Sequence, residues 1–118
     1  MLIIFFLGEF MNFETIKDAF IKHYEGDLQS FIELFSKDLH CESIHKSSMG
    51  TKVKNYDEFV NMVKDVKWAS EPVIQCLLET PNTVVKTVDG FDPNFTYLEI
   101  DHIKDGKIIK HVYGKVPK

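Results

Sequence analysis

Four ionisable side chains lie close together in the last third of the chain, where the sequence is otherwise largely apolar. The stretch YLEIDHIKDG at residues 97–106 carries Glu99, Asp101 and His102, and His111 follows after a short polar turn. Carboxylates and imidazoles are the side chains that most often transfer protons in proteins. The sequence therefore indicates acid–base chemistry, provided that the local structure brings these groups together.

The alternation of side chains along a strand decides which of these groups can meet. Glu99 and Asp101 share one face of the predicted strand, whereas His102 lies on the opposite face. Asp101 and His102 therefore do not form a pair. The face that carries the two acids also carries Tyr97 and Ile103.

A tight turn predicts the partner of Asp101. Asp105-Gly106 between two apolar runs is a strong hairpin signal. His111 on the second strand of that hairpin is the better imidazole partner for Asp101. In an apolar interior, desolvation would raise the pKa of an aspartic acid and a neighbouring histidine would oppose that rise.

These residues define a hypothesis for a small-molecule site, an apolar interior with a few convergent polar groups. Its candidate catalytic residues are Asp101, His111 and Glu99. Its candidate pocket-lining residues are Phe20, Tyr24, Ser43, Trp68, Tyr97, Ile103 and Tyr113.

Plainer interpretations stay open for the same residues. Glu99 and Asp101 could lie on a solvated strand face opposite lysines, as surface ion pairs. His111 could be a hydrogen-bonded structural histidine. The aromatic residues could fill the interior and leave no cavity.

Three helices are predicted in the first 66 residues, each from apolar side chains at three- and four-residue spacing behind a capping residue. The caps are Asn12, Asp27 and Asn55, and Gly26 ends the first helix. The predicted helices span 13–24, 28 to about 36–38, and 56–66, with a strand at 39–44 and a polar loop at 45–54.

From Pro72 onward, the apolar residues recur at every second position or in continuous runs, as they do in strands. Four apolar runs separated by turns predict an antiparallel sheet that curls against the helices, which is an α+β domain. The predicted strands cover 72–80, 83–91, 94–103 and 107–116.

Composition excludes several classes of partner. The 118 residues carry a formal net charge of −4, and all 14 basic residues are lysine, which disfavours nucleic acid. The N-terminal run MLIIFFLGEF is too short to span a membrane. We expect residues 1–11 to be an extension or edge strand, and 12–118 to form a single domain.

The cysteines and histidines show no metal-site spacing, so we expect no metal and no cofactor. Cys41 and Cys76 lie far apart in apolar surroundings, which predicts two reduced, buried thiols in a cytoplasmic protein.

The chain resembles a known superfamily over residues 12–116. A helix, GDLQSFIELFSKDL, a strand, a loop, a helix and a meander ending in IDHIKDGKIIKHVYG together look like nuclear-transport-factor-2-like proteins, above all SnoaL-like polyketide cyclases and ketosteroid isomerases. The resemblance implies a cone-shaped curved sheet wrapped around three N-terminal helices, the cystatin-like fold, enclosing an apolar pocket. It also implies a homodimer through the outer sheet face.

The residues that act in those enzymes carry over only in part. In ketosteroid isomerases a protonated aspartate in an I-D-H-F stretch donates to the substrate oxyanion, and Asp101 matches that position. The positions of the family's tyrosine and proton-transfer aspartate fall on Ala19 and Ser43. Tyr113 replaces the acid that ends the corresponding stretch of the cyclases.

The resemblance and the residues together predict a protein that binds a small hydrophobic molecule in an apolar pocket. It would be a cofactor-independent isomerase, cyclase or dehydratase that acts by acid–base chemistry on a hydrophobic carbonyl compound. The alternative is a non-catalytic ligand-binding or dimerisation module.

Overall fold

The computed structural model describes residues 11–44 and 52–118. The predicted N-terminal extension, up to residue 10, and residues 45–51 of the predicted polar loop lie outside the described residues. The last three residues of that loop, Lys52–Lys54, form a short strand, so the loop prediction was wrong there.

Three helices begin where the capping residues predict. Asn12 accepts a hydrogen bond from the Thr15 backbone N–H at 2.9 Å, and Asp27 accepts one from the Ser30 backbone N–H at 3.0 Å. Asn55 forms a capping box with Glu58. The helices are α1 (Phe13–Tyr24), α2 (Leu28–Ile32) and α3 (Tyr56–Val63).

Two helices are shorter than their apolar patterns predict. Helix α2 ends at Ile32, because Phe35 already begins a strand and is paired in register with Ile108. The Ile108 backbone N–H donates to the Leu34 carbonyl at 2.8 Å. Pairing with a distant strand thus overrides the helical periodicity of this segment. Helix α3 ends at Val63, short of the predicted residue 66.

Six strands form one sheet in the order β2-β1-β6-β5-β4-β3. Neighbouring strands are antiparallel except β1 and β6, which are parallel. The four strands predicted from residue 72 onward are antiparallel to their neighbours, as expected, and the parallel pair joins the first long strand to the last. The strands are β1 (Phe35–Ser43), β2 (Lys52–Lys54), β3 (Val73–Thr80), β4 (Thr83–Asp92), β5 (Phe95–Lys104) and β6 (Lys107–Pro117).

Irregularities in strand pairing accompany the curvature of the sheet. The register shifts between Val88 and Asp92 on β4, and Gly90 within that interval has a φ of +108°. The Gly90 carbonyl accepts hydrogen bonds from the backbone N–H groups of Ala69 and Ser70, at 2.8 and 3.0 Å. This contact fixes the segment after α3 to the sheet and so positions Trp68.

The predicted hairpin after β5 is confirmed. Asp105 and Gly106 both have positive φ, 53° and 74°, as expected of a two-residue turn whose twist matches that of the strands. The turn sets β5 against β6 so that Asp101 lies directly opposite His111.

The core lies between the helices and the inner face of the sheet. Met11, placed by the sequence in the extension, is only 9% exposed and packs within this core. The other buried apolar residues include Ile16, Phe20, Phe31, Phe59, Val84, Val88 and Ile108. The α+β architecture, with a curved sheet against N-terminal helices, is confirmed.

Candidate active site

A cavity of about 230 Å³ lies between the helices and the inner face of the sheet. Aromatic and aliphatic side chains form most of its wall, and five polar side chains reach it. The apolar wall consists of Phe20, Phe31, Phe59, Met62, Val63, Val66, Trp68, Val88 and Phe91. The polar side chains are His23, Tyr97, Glu99, His111 and Tyr113.

Strand register explains why the ionisable groups meet. Asp101 on β5 is paired with His111 on β6, and Glu99, two residues earlier on the same face, is paired with Tyr113. On the other side of β5, Lys86 of β4 is paired with Glu99. Directly paired residues point to the same side of a sheet. All five side chains therefore project inward from three adjacent strands.

Four of these side chains form one buried cluster. Asp101 Oδ1 lies 2.5 Å from His111 Nδ1, and Asp101 Oδ2 accepts a hydrogen bond from Lys86 Nζ. Lys86 Nζ also lies 3.0 Å from Glu99 Oε1. That contact has the distance of an ion pair but not hydrogen-bond geometry, so we treat it as a charge interaction. His111 Nε2 lies 3.9 Å from Glu99 Oε2.

The cluster has two layers. Glu99 and His111 line the cavity, whereas Lys86 and Asp101 are both 0% exposed and are not part of its wall. A ligand in the cavity would therefore contact the first two residues, and the other two would act on it only through them.

The charge state of Asp101 differs from that of its counterpart in ketosteroid isomerases. Burial alone would raise the pKa of Asp101, but the charges of Lys86 and His111 and their hydrogen bonds outweigh burial and lower it to about 2. Asp101 is therefore a carboxylate at neutral pH, not a neutral acid that donates to an oxyanion. The sequence analysis named the opposing effects of desolvation and of the histidine on this pKa, but it did not include Lys86.

Lys86 is held in its charged form by the same contacts. Burial lowers the pKa of Lys86, but the charges of Asp101 and Glu99 raise it by more, and the net shift is upward. Its ammonium group also lies 5.0 Å from the centre of the Phe20 ring, within the range of a cation–π contact.

The ionised Asp101 determines which nitrogen of His111 carries the proton. A carboxylate only accepts hydrogen bonds, so we assign the proton to Nδ1, which donates to Asp101 Oδ1. In the neutral imidazole, Nε2 then has a free lone pair beside Glu99. This is the arrangement of a general base held by a carboxylate.

Two tyrosines flank Glu99 at the same end of the cavity. Burial raises the pKa of Tyr97 and of Tyr113, so both hydroxyl groups are neutral donors at ordinary pH. The Tyr113 hydroxyl lies 3.9 Å from Met62 Sδ, a weak acceptor, and its ring stacks on His111 with centroids 5.6 Å apart.

Six of the predicted site residues lie in the cavity wall: Phe20, Trp68, Tyr97, Glu99, His111 and Tyr113. Asp101 lies directly behind that wall. Ser43 is half-buried and forms a side-chain hydrogen bond with Tyr113.

Two predicted pocket residues are not in the wall. Tyr24 is 42% exposed at the last turn of α1, beyond the part of the helix that packs on the sheet. Ile103 stays on the inner face of β5 but is paired with the buried Ile108 and packs against the core, so it does not reach the cavity.

Two site residues were not identified from the sequence. Lys86 lies between Val84 and Val88 on alternate positions of an apolar strand, so strand parity alone places it on the buried face. His23 lies three residues after Phe20 on α1 and so on the same face of the helix. Burial lowers the pKa of His23, and its Nδ1 accepts a hydrogen bond from Trp68 Nε1 at 3.3 Å.

The interpretation of Glu99 and Asp101 as surface ion pairs is wrong in one respect. A lysine does lie opposite the acids, but Glu99 is only 8% exposed and Asp101 0%. The pairs are buried, and a buried charged group is costly unless it is paired.

Within residues 11–44 and 52–118, no cluster of side chains could hold a metal ion. In the same part of the chain, no helix is long and apolar enough to cross a membrane.

The chain shares its architecture with several solved structures. A proposed isomerase from Bacillus subtilis superposes with a TM-score of 0.63 at 18% identity, over 89% of this chain and 88% of that one. The proposed polyketide cyclase IdmH from Streptomyces antibioticus gives 0.63 at 15% identity, over 86% and 87%. An NTF2-like protein of unknown function from Cytophaga hutchinsonii gives 0.62 at 11% identity, over 87% and 85%. No protein-family model and no curated protein matches the sequence.

The structure and these likenesses define a cone-shaped α+β domain with a cavity between its sheet and its helices. The fold is the nuclear-transport-factor-2-like fold, as the resemblance in the sequence implies. At these levels of identity the likeness concerns the fold alone.

Proposed function

We propose that this protein is a cofactor-independent acid–base catalyst of the isomerase, cyclase or dehydratase type, acting on a small hydrophobic carbonyl compound. The observation that carries this proposal is the buried Asp101–His111 pair, whose imidazole lines an apolar cavity.

His111 is the proposed general base. Its Nε2 takes a proton from a carbon next to the substrate carbonyl, and the electron pair of that C–H bond moves toward the carbonyl oxygen as an enolate forms. Asp101 stabilises the resulting imidazolium through its hydrogen bond to Nδ1. Glu99 adds a second negative charge 3.9 Å from Nε2.

Tyr97 and Tyr113 are the proposed donors to the enolate oxygen. Both have neutral hydroxyl groups and both line the cavity. A donor aimed at developing charge is worth most in a site from which water is excluded. The imidazolium then returns its proton to another carbon, which completes an isomerisation, or to a leaving hydroxyl group, which completes a dehydration.

Exchange of hydrogen for deuterium tests this proposal without knowledge of the natural substrate. Aryl-alkyl ketones such as benzylacetone are incubated with protein in D2O, and exchange next to the carbonyl is followed by NMR. We expect exchange faster than in buffer and lost in His111→Gln. Exchange unaffected by His111→Gln would contradict the role of this residue, and an exposed-site variant, Glu71→Gln, serves as the control.

A non-catalytic ligand-binding or dimerisation module is the second candidate. The positions of the family's tyrosine and proton-transfer acids hold Ala19, Ser43 and Tyr113, which favours this alternative. Benzylacetone that binds in the cavity without any exchange would support binding over catalysis.

We further propose a homodimer through the outer sheet face, in a cytoplasmic protein that binds neither nucleic acid nor membrane. Val73, Leu78 and Val116 lie on that face by strand parity, and all three are more than half exposed. Leu78→Lys should yield monomers in a light-scattering measurement of mass if this face forms the dimer.

A further inference from the structure

Glu99 has unused hydrogen-bonding capacity at the polar end of the cavity. Its side chain is 10% exposed, and its buried Oε1 faces Lys86 Nζ at 3.0 Å without hydrogen-bond geometry. Its Oε2 lies 3.9 Å from His111 Nε2, which also lines the cavity. A carboxylate has about four acceptor sites, and buried acceptors are normally satisfied. Because Lys86 covers Oε1, Oε2 is the oxygen that a donor from a bound molecule can reach.

Lys86 cannot offer its charge to the cavity. Two carboxylates, Asp101 and Glu99, contact its ammonium group, and Lys86 is 0% exposed. Of these three charged groups, only Glu99 lines the cavity. A ligand at this end therefore meets a carboxylate, which attracts a cation and repels an anion.

In the neutral imidazole, with Nδ1 donating to Asp101, His111 Nε2 is an acceptor. Glu99 Oε2, the second acceptor at the cavity, lies 3.9 Å from it. This separation is too long for a direct hydrogen bond. A nitrogen with several N–H donors, about 2.8 Å from each acceptor, would bridge them.

The surrounding wall suits the rest of such a molecule. Tyr97 and Tyr113 flank Glu99 on the inner face, and the faces of tyrosine rings attract cations within about 6 Å. Since an apolar cavity of about 150 Å³ is known to accept benzene, the volume of about 230 Å³ accommodates one aromatic ring with a short chain.

We propose that the cavity recognises an apolar primary amine in its protonated form, with the ammonium group on Glu99 and His111 and the apolar body against Phe20, Trp68 and Val88. This inference concerns binding. It goes beyond the proposed proton transfer and holds whether or not that reaction occurs.

Three ligands of one shape test the proposal. Phenethylamine, phenethyl alcohol and phenylacetate carry a cation, a neutral hydroxyl and an anion on the same ring at neutral pH. In NMR titrations of the full chain we expect the amine to bind at least about tenfold more tightly than the alcohol, and phenylacetate not to bind. Equal affinities for amine and alcohol, no binding of the amine, or tighter binding of phenylacetate would each overturn it.

The variant Glu99→Gln distinguishes the contribution of the carboxylate to binding from that of the apolar wall. This variant should lose about tenfold or more in affinity for phenethylamine and keep its affinity for phenethyl alcohol, whereas Glu71→Gln at the surface should change neither. An unchanged affinity of Glu99→Gln for the amine would refute the proposal. If Glu99→Gln does not fold, the three-ligand comparison on the wild-type chain decides. Amine binding without deuterium exchange, or exchange without amine binding, distinguishes the failure of one proposal from the failure of the other.

Discussion

Asp101 and His111 face each other across the hairpin of β5 and β6, with Asp101 Oδ1 2.5 Å from His111 Nδ1. Only His111 reaches the cavity, while Asp101 lies behind it against Lys86. The carboxylate therefore fixes the imidazole from the side that no ligand can occupy. A base oriented in this way does not depend on the substrate for its alignment.

Replacement of Asp101 should reduce stability strongly. Asp101→Asn keeps the size of the side chain but removes one of the two charges that compensate buried Lys86. Loss of one partner of a buried ion pair costs about 3–5 kcal/mol, which urea unfolding can measure. Asp105→Asn in the exposed hairpin is the matched control, with an expected change within about 0.5 kcal/mol. A small effect of Asp101→Asn would show that the cluster adds little to folding.

The free energy of unfolding should decrease at acidic pH because Asp101 becomes protonated. The pKa of Asp101 is lowered to about 2 from its ordinary value of 3.8. A lowered pKa means that the contribution is fully present above the unfolded-state value and is lost as the pH falls from about 4 to about 2. Urea midpoints measured across this range should drop less steeply in Asp101→Asn than in the wild type. If the urea midpoints of the two proteins depended equally on pH, the lowered pKa of Asp101 would be contradicted.

Lys86 and Asp101 should be coupled energetically. Lys86→Met leaves two buried acids without their cation and should cost about 3–5 kcal/mol. The double variant with both Lys86→Met and Asp101→Asn should lose less free energy of unfolding than the sum of the two single losses, by about 0.5–3 kcal/mol. A double-mutant cycle in urea measures this difference, and strictly additive losses would exclude a direct interaction.

Gly90 should tolerate alanine less well than Gly26 does, although both have φ near +105°. A Cβ at position 90 would lie 2.8 Å from the Glu71 carbonyl oxygen, whereas a Cβ at position 26 would have no neighbour within 4 Å. Gly26→Ala should cost about 1–2 kcal/mol from backbone strain alone, and Gly90→Ala about 1–3 kcal/mol more from the steric conflict. Equal losses on thermal unfolding would mean that the segment after Trp68 moves freely.

The two thiols should react at very different rates. Burial, together with the charges of Glu99 and Asp101, raises the pKa of Cys41 to about 12, and this residue is 1% exposed. Cys76 is exposed on β3, so the prediction of two buried thiols was wrong for it. A thiol reagent at neutral pH should label one cysteine rapidly and the second only after unfolding. Rapid labelling of the Cys76→Ser variant would contradict the buried position of Cys41.

The sequence predicted those parts of the fold that depend on local chemistry. The capping side chains Asn12, Asp27 and Asn55 and the Asp105-Gly106 turn act over a few residues, and each is found where predicted. The end of α2 was missed because Phe35 is held by Ile108, more than seventy residues away in sequence. No local pattern records such a contact.

The site was predictable to the extent that strand parity holds. Parity correctly separated His102 from Glu99 and Asp101, and the turn placed His111 opposite Asp101. Parity also gave the inward face of Ile103, but it could not show that this residue packs in the core beside Ile108 and does not reach the cavity. Lys86 was missed because a lysine in an apolar strand suggests an exposed position, and its burial becomes understandable only once both acids are seen beside it.

Strands β4 to β6 and the first 68 residues contribute different parts of the cavity, and this difference matters for redesigning it. The cluster comes from residues 86–111 on three adjacent strands, whereas Phe20, Phe31, Phe59 and Trp68 come from the first 68 residues. The reactive groups and seven of the nine apolar wall residues are thus encoded in separate stretches of sequence, the exceptions being Val88 and Phe91. Substitutions in the first stretch can alter which molecules fit, while the second stretch preserves the chemistry.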